Sequence, residues 1–285
     1  MSPIDSVMTQ SNDASISPTP QRIGIRIDRY PIVDSTNLSA FEAATVGAPD
    51  GTVIVADAQR TGRGRQGRAW ASPPGGNLYV SILLRGPFSQ PVVTGLPFLA
   101  AITARDAIRE LTGLTTGLKW PNDLIINSRK AGGILVEARS VGGETALAVV
   151  GIGLNVNWPV DAMPVELKET ATALEQELGR PVDRVSLLAA LLMRFEAGYD
   201  RLRGKGGSWL MDDWSRSCLT LGQTVSVETP SGPLTGLAEA VEPSGHLRLR
   251  HADGSISRLS VNATLHLTSV MDQPSPLGGR HALRD

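Results

Sequence analysis

The nine residues Gly62-Arg63-Gly64-Arg65-Gln66-Gly67-Arg68-Ala69-Trp70 run straight into Ala71-Ser72-Pro73-Pro74-Gly75-Gly76. That junction constrains the fold more than any other stretch. The glycines at 62, 64 and 67 match Gly-x-Gly-x-x-Gly, and Thr52-Val53-Ile54-Val55-Ala56 before them reads as a strand. A dinucleotide fingerprint also needs a helix opening from its last glycine. Two prolines and two glycines in a row do not open one. What remains is a loop whose glycines allow close backbone approach. It carries three forked cations suited to carboxylate and phosphate oxygens and ends in a flat indole. It reads as a loop that closes over an anionic, nucleotide-like ligand. A solvated basic turn would have the same composition.

Histidine placement narrows the chemistry. All four, His246, His251, His266 and His281, fall near the C-terminus, and the single cysteine is Cys218. A Ser-His-Asp or Cys-His arrangement is not expected in the main domain, and a zinc site there would rest on carboxylates alone. No disulfide forms within the chain. Catalysis must use Lys, Arg, Asn, Asp or backbone donors, which favours reactions run by positioning and charge stabilisation. Lysine is scarce, with only Lys119, Lys130, Lys168 and Lys205, so a lysine inside a motif stands out. The net charge of -1 gives no global attraction to nucleic acid or an anionic membrane. No signal peptide is read at the N-terminus. No run is long enough to span a bilayer, since Arg105 and Asp106 interrupt Leu96 to Ile108. A cytoplasmic protein is expected.

The 285 residues suit one large domain and a small one. Residues 1–21 are Ser/Pro/Asp-rich and expected to be disordered. Residues 22–218 mix strands and helices, residues 219–270 change texture, and 271–285 read as a flexible tail. In the main part Ser39-Ala40-Phe41-Glu42 fits a capping box. Residues 77–84 read as a strand, and 97–111 as a helix stopped by Gly113. Residues 134–138 and 146–150 form a hairpin about Gly142-Gly143, which gives the sheet an antiparallel part. Helices follow at 185–202 and 209–216. From 219 onward, short alternating runs at 224–227, 247–250 and 265–267 are separated by turns at Pro230-Ser231-Gly232, Pro243-Ser244-Gly245 and Asp253-Gly254. They predict a small all-β unit, a compact barrel.

Four further segments carry polar chemistry. Asp34-Ser35-Thr36-Asn37 opens a helix; one residue suffices as its cap, and the surplus side chains suit a carbonyl or ureido group. Lys119-Trp120-Pro121-Asn122-Asp123 is an extended entry into a turn, read as an exposed Trp-Pro turn in a nucleotide pocket. Lys130 follows a hairpin tip at Asn127-Ser128, where an exposed charge needs no function; the alternative reading is a lysine that neutralises a carboxylate and a developing phosphate charge at once. Gly151-Ile152-Gly153-Leu154-Asn155 ends an apolar strand, either as a bulge or as a close backbone approach to a ligand. No Walker A pattern is present.

In this order the segments resemble the biotin–protein ligases, over roughly residues 30–270. The resemblance implies the α/β (α+β) fold of class II aminoacyl-tRNA synthetases, with a mixed or antiparallel sheet and an SH3-like C-terminal β-barrel. It implies that biotin is activated with ATP and Mg²⁺ to biotinyl-5'-AMP. Biotin then passes to a lysine of a biotin carboxyl carrier protein domain. Ser35, Thr36, Asn37 and Gln59 would contact biotin, and Arg63, Gly64 and Arg65 would order over biotin and the adenylate. Lys130 matches the lysine that meets the biotin carboxylate; Lys130 and Arg65 are the expected catalytic residues. Arg68, Trp70, Lys119, Asn122, Gly133 and Asn155 would meet the nucleotide, Asn122 near phosphate or its Mg²⁺. No metal ligands are assigned.

About thirty residues precede the motif core, too few for the winged DNA-binding domain of some relatives, so neither DNA nor a membrane is expected as partner. The resemblance allows a homodimer through sheet edges near the glycine–arginine loop, with the 77–84 strand as a candidate edge; the oligomeric state itself is left open. The base that deprotonates the acceptor lysine is open among a carboxylate such as Asp123, a backbone group and water. A lipoate–protein ligase and a non-enzymatic biotin sensor are the alternatives.

Overall fold

Seven strands build the main sheet of a computed structural model, which describes residues 22–141, 144–229, 232–260 and 264–267. They are β1 (Ile27–Tyr30), β2 (Val53–Ala56), β3 (Leu78–Phe88), β4 (Gly117–Lys119), β5 (Asp123–Ile126), β6 (Arg129–Val141) and β7 (Glu144–Leu154). Their order is β1-β2-β3-β7-β6-β5-β4. Only β1 and β2 pair in parallel; the other pairs are antiparallel, giving the mixed sheet expected. The segments expected at 1–21 and 271–285, and the turn residues Gly142, Gly143, Pro230 and Ser231, lie outside the described residues.

Five helices complete the main part: α1 (Thr36–Thr45), α2 (Gln90–Thr112), α3 (Leu174–Leu178), α4 (Arg184–Lys205) and α5 (Ser208–Ser217). Successive strand residues face opposite sides, and β3 uses both. Val80, Ile82 and Leu84 enter the large core with Phe98, Leu99, Leu191 and Phe195 of α2 and α4. Leu83 faces the other way, with Ile54 and Val149, against Ala40, Phe41 and Ala44 of α1. Helix α1 covers only part of that second face. The uncovered part is where the cleft lies.

β8 (Thr224–Thr229), β9 (Gly232–Val241), β10 (Leu247–Arg250), β11 (Ile256–Leu259) and β12 (Thr264–Leu267) form the C-terminal antiparallel sheet, ordered β11-β10-β9-β8-β12. Its inward residues, Val225, Val227, Leu247 and Leu249 among them, belong to the same apolar cluster as the main core.

Several expectations are corrected. Ser39 lies inside α1, which opens at Thr36, so Ser39 and Glu42 form no capping box. Helix α2 starts at Gln90, seven residues before Pro97. Proline removes one helical hydrogen bond, but Val92 and Leu96, both buried, fix the first turns on the core. By length and composition α2 could cross a membrane; here 67% of its most apolar window is buried inside the fold. Its Arg105 pairs with Asp106 and Asp213. Over Tyr79–Ile82, the middle of the 77–84 stretch, β3 offers no free edge to a second copy, because β2 bonds one side of it and β7 the other.

Candidate active site

Cross-strand registry sets the floor of the cleft. Tyr79 pairs with Gly153, Gly153 with Gly133, Gly133 with Asp123, and Asp123 with Lys119. This row crosses five strands, about 19 Å at the usual strand spacing. It runs from an aromatic ring over two glycines to a carboxylate and an ammonium. The adjacent row on the same face is Ser81, Gly151 and Leu135. A bulge adds Lys130 to this face. Leu124 pairs with Gly132 and Ile125 with Lys130, so Ala131 is the extra residue. Without that slip, Lys130 and Gly133 would face opposite sides.

The cleft has a volume of about 1250 Å³, and all fourteen site residues expected from the sequence line it. At one end stands the N-terminus of α1. Ser35 has the extended backbone of a cap but makes no side-chain capping bond. Gln59 supplies it instead: its Oε1 accepts from the Thr36 N–H at 2.8 Å, and its Nε2 donates to Ser72 Oγ at 2.8 Å. Ser81 Oγ lies 2.6 Å from Asn37 Oδ1 and 2.8 Å from Thr36 Oγ1. Ser81, Thr36 and Asn37 thus meet in a buried corner beside Ser35, each of the four at most 5% exposed.

The glycine–arginine loop forms a small hairpin over the cleft, with Arg63 and Ala69 bridged and the Gly64 N–H donating to Arg68 O at 2.7 Å. Its three arginines diverge. Arg63 pairs with Glu137 at 3.2 Å. Arg68 donates to Gln66 within the loop at 3.4 Å. Arg65 turns inward, where Nη1 donates to Asn122 Oδ1 at 3.1 Å. Its Nη2 is buried without a partner. Burial pulls its pKa below the ordinary guanidinium value, Asp123 opposes that and Arg68 adds to it. Among the described residues no carboxylate forms an ion pair with Arg65, Arg68 or Lys119, whereas Lys130 Nζ is 2.6 Å from Asp123 Oδ1. Unpaired cations in a cleft are a site for an anion.

Trp70 lies flat against the floor. A Cβ on Gly153 would fall 2.8 Å from the indole, and one on Gly133 3.3 Å from it. The Lys130 ammonium sits 5.2 Å from the ring centroid. Gly151 makes room for Asn37, whose Oδ1 would be 2.3 Å from an added Cβ. The glycines expected to admit a ligand to the backbone therefore admit side chains of the site. Asn155 spends its Nδ2 on Lys130 O and Thr172 O, leaving Oδ1 buried and unpaired. The indole nitrogens of Trp70 and Trp158 are likewise buried and unpaired at the cleft.

Trp120 is not the exposed turn expected from the sequence. It is 1% exposed, its Nε1 donates to Gly245 O at 3.1 Å, and its N–H donates to Thr220 Oγ1 at 3.0 Å. It clamps the C-terminal sheet to the strand pair that carries Lys119, Asn122 and Asp123. Leu219, Gln223 and Thr224 consequently reach the cleft. Ser81 and Glu137 were also missed. Each interrupts a short apolar run, Ser81 within Val80–Leu84 and Glu137 within Ile134–Ala138, which is the signal that marks them.

Among the described residues no three His, Cys, Asp or Glu side chains come together as a metal site. Asn122, expected near phosphate or its Mg²⁺, accepts at Oδ1 from Arg65. Among the described residues no protein-built Mg²⁺ site is formed.

Comparison with known proteins finds similarity to biotin protein ligases over both parts of the chain. The biotin/lipoate A/B protein ligase family profile matches residues 30–155, and the biotin protein ligase C-terminal domain profile matches residues 220–263. The bifunctional ligase/repressor BirA of Bacillus subtilis is 34% identical over 81% of this chain and 71% of its own length. The biotin–[acetyl-CoA-carboxylase] ligase of Paracoccus denitrificans is 32% identical over 78% of this chain and 92% of its own. The biotin protein ligase of Aquifex aeolicus, solved with biotin and ATP, superposes with a TM-score of 0.75 at 30% identity. That alignment covers 86% of this chain and all of the other.

Proposed function

This chain belongs to the biotin protein ligases, and from that premise we propose that it activates biotin with ATP and transfers it to a lysine of a biotin-dependent carboxylase. The observation that carries the reading is the charge of the cleft. Arg65, Arg68 and Lys119 line it without carboxylate partners among the described residues, beside Lys130.

Biotin and ATP are both anions, so their approach is repulsive until cations offset it. In this reading Ser35, Thr36, Asn37 and Gln59 hold the ureido end of biotin in the corner at α1, and Lys130 meets its carboxylate. Arg65, Arg68 and Lys119 receive the phosphates, and Trp70 and Asn155 face the base. A carboxylate oxygen attacks the α-phosphorus, the bond to the β-phosphate breaks, and pyrophosphate leaves. Positive charge fixed in advance stabilises the transition state without reorganising at the moment of reaction, and the two ends are held in line. Any Mg²⁺ comes with the nucleotide's phosphates, and no step here depends on it.

The product is a mixed anhydride that water would hydrolyse. The loop at Gly62–Trp70 covers it. The acceptor amine then attacks the carbonyl carbon, the bond to AMP breaks, and an amide forms with loss of one proton. The acceptor is a lysine on the carrier domain of the carboxylase. Asp123 serves to hold Lys130, to which it is already bonded.

The test is transfer to an isolated carrier domain with biotin, ATP and Mg²⁺, read by intact-protein mass. A gain of one biotinyl group on one lysine is expected, and lipoate in place of biotin should give none. Equal labelling by lipoate, or no labelling of a folded carrier, would overturn the reading.

A further inference from the structure

Glu137 is the one charge in the apolar run Ile134-Leu135-Val136-Glu137-Ala138, and it stands outside the cleft lining. One of its oxygens, Oε2, accepts from two donors on separate elements. Asn37 Nδ2, at the start of α1, is 2.7 Å away, and Arg63 Nη2, in the loop, is 3.2 Å away. Asn37 Nδ2 also donates to Leu135 O at 3.2 Å, and Oδ1 accepts from Ser81, so the carboxylate and this carbonyl orient the amide together.

We infer that Glu137 is a positioning residue, which latches the glycine–arginine loop shut through Arg63 and fixes the orientation of Asn37. An ordinary half-exposed ion pair contributes little, and the side chains of Arg63 and Glu137 are 44% and 30% exposed. Two features set this pair apart. Arg63 is the only loop arginine with a carboxylate partner among the described residues. The same oxygen also holds a side chain of the corner beneath the loop, so closing the loop and ordering that corner draw on one carboxylate. The inference rests on the biotin-activating reading only where it concerns biotin; the latch itself is a matter of loop release.

The loop's arginines give a direct readout, since trypsin cleaves after Arg65 and Arg68 once the loop opens. Cleavage there is followed by mass spectrometry in the substrate-free protein. The variants are Glu137→Gln, Arg63→Gln and the double variant. Each single variant is expected to speed cleavage about two- to fivefold, the range for a half-exposed ion pair. The double should be no faster than either single. Unchanged cleavage in the singles, or additive acceleration in the double, overturns the latch. The biotin arm uses exchange of labelled pyrophosphate into ATP. Glu137→Gln keeps an oxygen for Asn37 and should leave the KM for biotin near wild type, whereas Glu137→Ala should raise it several-fold with the KM for ATP unchanged. An equal rise in both variants, or none in Glu137→Ala, overturns the orienting role. Wild-type protein without biotin-dependent exchange would defeat the ligase reading instead, and the cleavage rates would still decide the latch.

Discussion

Arg65 and Lys130 are two cations in one cleft with different tasks. Arg65 is half-buried, its partner Asn122 is neutral, and burial lowers its pKa; in the proposed reaction an incoming phosphate restores what water no longer supplies. Lys130 is held by Asp123 and can turn to a carboxylate without leaving that anchor. Arg65→Ala and Lys130→Ala are each expected to lower kcat for adenylate formation about a hundredfold, the usual scale for one preorganised charged donor. Near-wild-type pyrophosphate exchange in a folded variant would count against that residue. Gly153→Ala tests the floor. Its Cβ would stand 2.8 Å from the Trp70 indole, so the ring must shift. The KM for ATP should rise several-fold while that for biotin holds. At this scale the sequence was legible wherever a motif concentrates unusual residues. It was silent on Gln59 as the cap of α1, because that partner lies 23 positions from Thr36. It was misleading on Trp120, since a Trp-Pro turn flanked by Lys and Asn has the composition of a surface turn.

Among the elements, the bulge at Ala131 and the contact through Trp120 decide what the cleft contains. The first puts Lys130 on the cleft face; the second ties the C-terminal sheet to β4 and β5. Neither is written in local periodicity, because each depends on a partner strand or a distant carbonyl. Strand and helix types, by contrast, followed from alternation and spacing, and the chief boundary error came from treating Pro97 as a start. Trp120→Phe would keep an aromatic ring, smaller than the indole, and remove the N–H that Gly245 O accepts. A loss of about 1–3 kcal/mol in unfolding free energy is expected, together with a raised KM for ATP. Loss of stability with unchanged nucleotide kinetics would show that the clamp does not reach the site. Glu177, 5% exposed at its side chain, joins α3 to the hairpin tip through Arg129, Asn127 and Thr172. Burial alone would raise its pKa, but those hydrogen bonds and the Arg129 charge hold it below 4.5. A lowered folded pKa means stabilisation that is complete above the unfolded pKa and lost as pH falls through the folded one. Glu177→Gln should therefore be less stable than wild type from neutral pH down to about 5. The gap should narrow below that in denaturant melts; a constant gap would contradict the assignment.

At the scale of the whole molecule, one sheet serves two purposes. One face is buried under α2 and α4 and supplies most of the apolar core. The other is half covered by α1, and its bare half is a floor of glycines flanked by cations. The C-terminal sheet shares the same core and closes one side of the cleft. Adenylation by positioned charge, in a chain whose histidines all lie near its C-terminus, is the claim that joins these layers. Its most direct test is biotin-dependent exchange of labelled pyrophosphate into ATP, with lipoate as the control acid. Exchange with biotin, absent with lipoate and reduced about a hundredfold in Arg65→Ala, is the predicted result. Exchange that ignores biotin, or that survives intact in Arg65→Ala, would contradict it.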